Sequence, residues 1–231
     1  MNRDLIEKIK KYYEASQSDP NGRYRSWEHC YYNFYKARGK GKLDKEFLDY
    51  LSLQLAFYLA SWGMYRGSSF LLEKDYKIHI PVVKEILKSE YNDLFGLEIG
   101  DLLKENIQNK LEKLNEFIAT YYEKIRRDVK GCDVKTPLST TLLTKILMGT
   151  LGCAPAYDEY FINAVRKTKV ARGTYNMESL KELEKFYKDN NDKLEEIRKG
   201  MWVNEVEYPQ MKLLDMGFWQ MGVDMKADKE G

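Results

Sequence analysis

Lys145 and Asp158 flank a glycine-bearing turn in TKILMGTLGCAPAYDEYF, the lysine before the turn and the aspartate after it. An amine and a carboxylate are the groups of nucleophilic and acid–base chemistry. The simpler reading is structural: Gly149 and Gly152 permit a tight helix–helix turn, and Asp158 favours a helix start electrostatically. Lys212, Asp215 and Trp219 share one face of the last helical stretch at spacings of three and four. The first two can pair there for a few tenths of a kcal/mol. That face would do chemistry only if it lined a cleft, and a solvated pair is the simpler expectation.

A second kind of chemistry is anion binding. Trp62 and Arg66 are four apart, so on a continuous helix they share a face and can form a cation–π pair. Arg66 would sit in the last turn, complementing the carbonyl end, with Gly67 stopping the helix. If Ser68 or Ser69 caps the next helix, its amides and Arg66 together make a phosphate site. The simpler reading is that Arg66 and Gly67 merely end a helix. The two histidines offer less. His29 projects from the polar side of its helix and could serve as an acid–base group, although a solvated or hydrogen-bonded histidine is the simpler reading. His79 falls in a loop before a helix start. No Cys or His pair has metal-ligand spacing, so no metal or other cofactor is expected.

The stretch 138–165, helix, glycine-bearing hairpin, then a helix with an aspartate in its first turn, resembles the helix-hairpin-helix unit of base-excision DNA glycosylases. It is more similar still to hairpin proteins whose second helix begins Pro-x-x-Asp, here Pro155 to Asp158. The resemblance implies backbone amides of the hairpin, those of Gly149 and Gly152, offered to a phosphate without base readout. It covers about thirty residues. Glycosylase hairpins read Leu-Pro-Gly-x-Gly where this turn reads Leu-Gly-Cys-Ala-Pro, and their lysine follows the hairpin where Lys145 precedes it. The resemblance therefore assigns no catalytic role to Lys145 or Asp158.

The elements that must position these residues are helical throughout. Leu5, Ile6, Ile9, Tyr12 and Tyr13 mark a first helix, closed by Asp19-Pro20-Asn21-Gly22. Trp27, Cys30, Tyr31 and Phe34 mark a second, with Ser26 as its cap and Glu28 in its first turn. The stretch 47–65 is apolar on nearly every side, which predicts a central helix surrounded by protein. Asp44 is placed to cap it. Leu103, Ile107, Leu111, Leu114, Ile118, Tyr121 and Ile125 define a long helix from 101 to about 129. Asn176 caps a further helix, kinked at Asn190-Asn191, and the last begins around Pro209. Period-two alternation never persists, and no internal repeat is present. The expected fold is all-α, one domain over 1–223 or two lobes, 1–130 and 131–223, with a flexible tail at 224–231.

Composition narrows the partners. The chain has 231 residues, 38 basic and 36 acidic, for a net charge of +2, without the basic excess of many nucleic-acid binders. The 18 tyrosines make rings with polar tips the main packing material. Three separated cysteines, Cys30, Cys132 and Cys153, fit a reducing compartment, and the uncharged run 50–65 is too short for a span, so a cytoplasmic protein with no membrane association is expected. Walker, G-x-G-x-x-G, H-E-x-x-H, G-x-S-x-G and EF-hand patterns are absent. The leading reading is nucleic-acid or phosphorylated-ligand binding through Arg66–Ser69, the hairpin and the basic loop 36–42. A non-catalytic protein-interaction module is the alternative. An enzyme with a site at His29, Arg66 and Asp158 is the third.

Overall fold

Helix α10, Gln210–Glu230, is buried along its whole first half, through Gly222. Leu213, Leu214, Met216 and Phe218 are completely enclosed, and even Gln210, Lys212, Asp215 and Gln220 are buried. A helix enclosed on all sides has to be apolar around most of its circumference, as MKLLDMGFWQMG is. In the computed structural model, which describes residues 2–38, 40, 43–131 and 135–230, ten α-helices account for most of the chain. They are α1 (Asn2–Ser18), α2 (Arg25–Arg38), α3 (Lys45–Ser61), α4 (Ile80–Ile86) and α5 (Glu105–Arg127), followed by α6 (Thr140–Thr150), α7 (Glu159–Thr168), α8 (Met177–Asp189), α9 (Asn191–Arg198) and α10. Helices α1 and α7 lie along α10, α2 and α6 pack on α3, and α5 closes the far side through α4. Cys132 and part of the basic loop 36–42 lie outside the described residues.

Two expectations need correction. Helix α3 is not the enclosed centre: Leu53 and Phe57 are 47% and 57% exposed, and Tyr50 lies on the same outer face. Its apolar residues cover the core on one side and face outward on the other. The tail is no loose end, because α10 continues through 224–230, held by Asp224 bridging Lys8 and Lys11 of α1 at 2.8 and 2.9 Å. Among the described residues one small β-hairpin, Trp202–Val203 against Val206–Glu207, turned by Asn204 in the left-handed region, is added to a fold that is all-α as expected. Two residues per strand are too few to register as alternation.

Other boundaries follow local chemistry. The Asp44 carboxylate accepts from the Phe47 amide, and the Asn176 side chain accepts from Ser179, so both caps form as expected. Ser26 instead lies inside α2, its hydroxyl turned back on the Arg23 carbonyl at 2.6 Å. Glu28 is buried, bound by Arg25 at 2.6 Å, Gln17 at 2.8 Å and the Tyr208 hydroxyl. It thereby ties α1 and α2 to the chain entering α10.

His79 is also interior. Its Nε2 meets the Tyr65 hydroxyl at 2.7 Å and its Nδ1 the Tyr122 hydroxyl at 2.5 Å, so a neutral ring satisfies both, donating to one and accepting from the other. Burial lowers its pKa from 6.5 to about 3. An unfolded chain takes up this proton near pH 6.5 and the folded chain only near pH 3. Stability is therefore complete above pH 6.5 and falls with acidification through that window, by up to ~1.4 kcal/mol per pH unit. His79→Leu should flatten this acid limb in urea melts taken from pH 6.5 to 3. An unchanged slope would remove His79 from the acid response.

Candidate functional site

The two lysine–aspartate pairs, 67 residues apart in the chain between Lys145 and Lys212, meet in one chamber. Lys145 projects from α6, which is apolar enough to be almost wholly buried. Asp158 is the N-cap of α7, its Oδ1 accepting from the Phe161 amide at 3.1 Å. Its other oxygen lies 3.5 Å from Lys145 Nζ. Lys145 also donates to the Trp62 carbonyl at 2.8 Å. Lys212 and Asp215, one turn apart on α10, pair at 2.8 Å, and Lys212 Nζ reaches the Tyr12 hydroxyl at 3.4 Å. The second Asp215 oxygen accepts from the Ala156 amide at 2.9 Å, which joins α10 to the linker carrying Asp158. Thr141 and Thr144 tie the same linker to α6, at 2.9 Å to the Tyr157 carbonyl and amide respectively.

Aromatic rings enclose these charges. Trp62, Trp219, Tyr12 and Tyr24 contact one another at centroid distances of 4.9 to 6.4 Å, with Trp62 nearly parallel to Tyr12. The Lys212 ammonium lies 4.8 Å from the Trp27 ring and 5.0 Å from the Tyr12 ring, and Lys145 lies 5.7 Å from that of Trp62. Tyr58 of α3 completes the lining. Free volume inside is about 10 Å³, space for about one water. The outer wall is Trp62, half-buried beneath the Arg23 guanidinium at 5.2 Å, with its Nε1 buried and lacking a hydrogen-bond partner.

Lys145 and Lys212 are only 4% and 3% exposed, and burying ammonium groups is expensive unless they are paired. Pairing here is incomplete at Lys145. Burial pushes its pKa below that of an ordinary lysine despite the nearby Asp158, and Arg66 adds to the lowering. Burial pushes the Asp158 carboxyl up, against the pull of Lys145. Both shifts favour the neutral forms. A lysine of this kind is suited to attack on an electrophilic carbon.

The remaining candidates distribute differently. Helix α3 ends at Ser61 in a Schellman turn: Gly63 at φ 76° donates to Ala60 and Met64 to Leu59. Trp62 and Arg66 are therefore not helical neighbours. Trp62 meets Arg23, Lys145 and Lys212 instead, and Arg66 packs over Gly63. Gly67 is left-handed, but Ser69 caps only a four-residue 3-10 turn, Phe70–Glu73, so the expected helix N-terminus is missing. Ser68 and Ser69 do line a cleft with Arg66. Gly149 and Gly152 are interior, a Cβ on them falling 2.4 Å from Tyr58 and from Pro209 respectively, so their amides cannot reach a phosphate. Pro155 does not open α7, which begins four residues later behind an eight-residue linker. His29 is exposed and lines no described cavity, so the site at His29, Arg66 and Asp158 does not assemble. Lys212 and Asp215 are not a solvated pair.

The walls Tyr12, Trp27 and Tyr58 are functional candidates the sequence reading missed, because each sits on an inward helix face that core packing already explains, and Tyr24 was missed because it lies in the turn before α2. The available signal was charge in the wrong place, Lys145 in LLTKILMG and Lys212 with Asp215 in MKLLDMGFW. Among the described residues no group of three or more His, Cys, Asp or Glu side chains could hold a metal ion, and no helix is long and apolar enough to cross a membrane. No family model, curated protein or solved structure matches the chain.

Proposed function

We propose that the protein binds a nucleic-acid strand and excises a base from it, with Lys145 as the amine nucleophile. The observation that carries this reading is the Lys145–Asp158 pair, an amine and a carboxylate both biased toward neutrality inside a chamber of aromatic rings. Enzymes that act on a base take it out of the stack and hold it between aromatic faces. Here Trp62 swings outward, and the base stacks against Tyr12 and Trp219 with Lys212 and Asp215 at its polar edge. Asp158 accepts the ammonium proton. The Lys145 amine then forms a bond to the sugar C1′ as the bond from C1′ to the base nitrogen breaks, and the base departs with the proton returned by Asp158.

The test uses duplex and single-stranded oligonucleotides carrying oxidised, alkylated or deaminated bases, with base release followed by chromatography. Release from at least one lesion is expected. No release from any of them contradicts base excision, and no strand retention at low salt contradicts strand binding as well.

A second reading, a protein-interaction module, is favoured by one observation: Tyr50, Leu53 and Phe57 form an exposed stripe on α3. A partner or self-association lost in Phe57→Ser would support it, and a strict monomer without a partner would count against it.

A further inference from the structure

Beside the chamber lies a larger cleft of about 640 Å³, sharing with it the Trp62–Gly63 corner and one face of α6, where Leu142 in the cleft and Lys145 in the chamber are a turn apart. Its polar lining is two arginines and four hydroxyl residues, Arg66, Arg126, Ser68, Ser69, Thr136 and Ser139, and no carboxylate among the described residues. The Arg66 carbonyl accepts from the Ser69 amide at 3.2 Å, but its guanidinium makes no hydrogen bond or ion pair among the described residues; it rests over Gly63, a position with no Cβ to keep it away. Arg126 donates to the Thr136 and Pro137 carbonyls, the latter at 3.3 Å, which fixes its guanidinium, while its Nε is buried without a partner. Ser139 stands at the N-cap of α6 without a capping bond from its side chain.

We infer that this cleft grips the phosphodiester backbone of the strand whose base enters the chamber, with Arg66 and Arg126 as its cationic contacts. A base is covalently joined to its phosphate through one sugar, so the two groups must be held side by side. The cleft supplies the second position immediately next to the first. Volume favours a sugar-phosphate unit over a lone inorganic phosphate, and the described lining residues present no carboxylate to a polyanion. Lys145 then lies between phosphate and base, where C1′ would be. The inference rests on the proposed base excision for what enters the chamber, but backbone binding can be measured without it.

The experiment is a titration of a fluorescent oligonucleotide with the full chain from 50 to 300 mM salt, comparing wild type with Arg66→Gln, Arg66→Lys and Arg66→Gln/Arg126→Gln. Wild type should bind with a steep dependence of log K on log salt. Each arginine lost should flatten that slope by about 0.7 for a single strand or about 0.9 for a duplex, and weaken low-salt binding severalfold. Arg66→Lys should keep the slope, which separates charge from fold. Nucleoside monophosphate at equal phosphate concentration should not displace the strand; displacement would make the cleft a small-phosphate site and overturn the inference. A steep slope unchanged in all variants also overturns it while leaving base excision standing. A slope flattened in the variants with no base released from any lesion keeps the cleft assignment and removes base excision. Absence of binding by wild type contradicts both.

Discussion

Lys145→Gln should abolish base release, lowering its rate by roughly 10³-fold or more, the equivalent of more than about 4 kcal/mol of barrier. Strand retention at low salt should change little, because the proposed backbone contacts come from Arg66 and Arg126. The variant should still fold. Removing one partner of a buried pair can cost about 3–5 kcal/mol by stranding the other charge. Here Asp158 keeps its bond from the Phe161 amide, and its carboxyl is already pushed toward the neutral form, so protonation relieves most of that penalty. Lys145→Arg retains the charge and removes the amine nucleophile, and it should be as inactive as Lys145→Gln. Wild-type rates should fall at high pH along a limb that lies below the ordinary lysine value of 10.5, because the proton shared by Lys145 and Asp158 is the one the departing base takes and burial lowers the ammonium pKa. A glutamine variant within tenfold of wild type would show that another group performs the attack.

The second large effect is structural and comes from Gly222. A Cβ there would lie 2.1 Å from the Tyr160 carbonyl oxygen and 2.6 Å from its carbon, contacts that no rotamer change relieves because both atoms are backbone. Alanine in a helix interior is favoured over glycine by about 1 kcal/mol. The clash outweighs this, since α7 must move away from α10 by an ångström or more along a tightly packed face. Gly222→Ala should therefore cost about 3 kcal/mol in chemical denaturation. It should also impair the chamber, because Asp158 caps α7, Asp215 and Trp219 ride on α10, and the Tyr160–Trp219 ring contact at 5.7 Å spans the two. A variant as stable as wild type would mean that the two helices separate freely.

Helix positions were readable because Ile107, Leu111, Leu114 and Ile118 recur with the helical period, and because Asp44 and Asn176 are cap residues whose role is local. Which helix is central was not. The stretch 47–65 and the α10 sequence are both apolar around most of their surface, and only the packing of α1 and α7 against α10 decides which is enclosed. Glycines gave a similar ambiguity. Gly67 and Gly63 both accept positive φ, yet only Gly63 closes α3, which moved Trp62 out of helical register with Arg66. Gly149 and Gly152 read equally as turn residues or as close-approach residues, and the ring of Tyr58 and the ring of Pro209 make them the latter. The site was half visible. Lys145, Asp158, Lys212, Asp215 and Trp62 were each identifiable as chemistry-bearing, but α6 and α10 are far apart in sequence, and nothing local shows that their charged residues share a chamber.

Borohydride reduction during turnover tests the central claim most directly. The C1′ adduct opens to an imine as the bond from C1′ to the ring oxygen breaks and that oxygen takes a proton from the nitrogen, and the reductant converts this imine into a stable amine, fixing strand to protein. Peptide mass spectrometry of the trapped complex should place the sugar adduct on Lys145, with none on Lys212. Base release that yields no adduct, or an adduct on Lys212 instead, would contradict the assignment of Lys145 as the nucleophile.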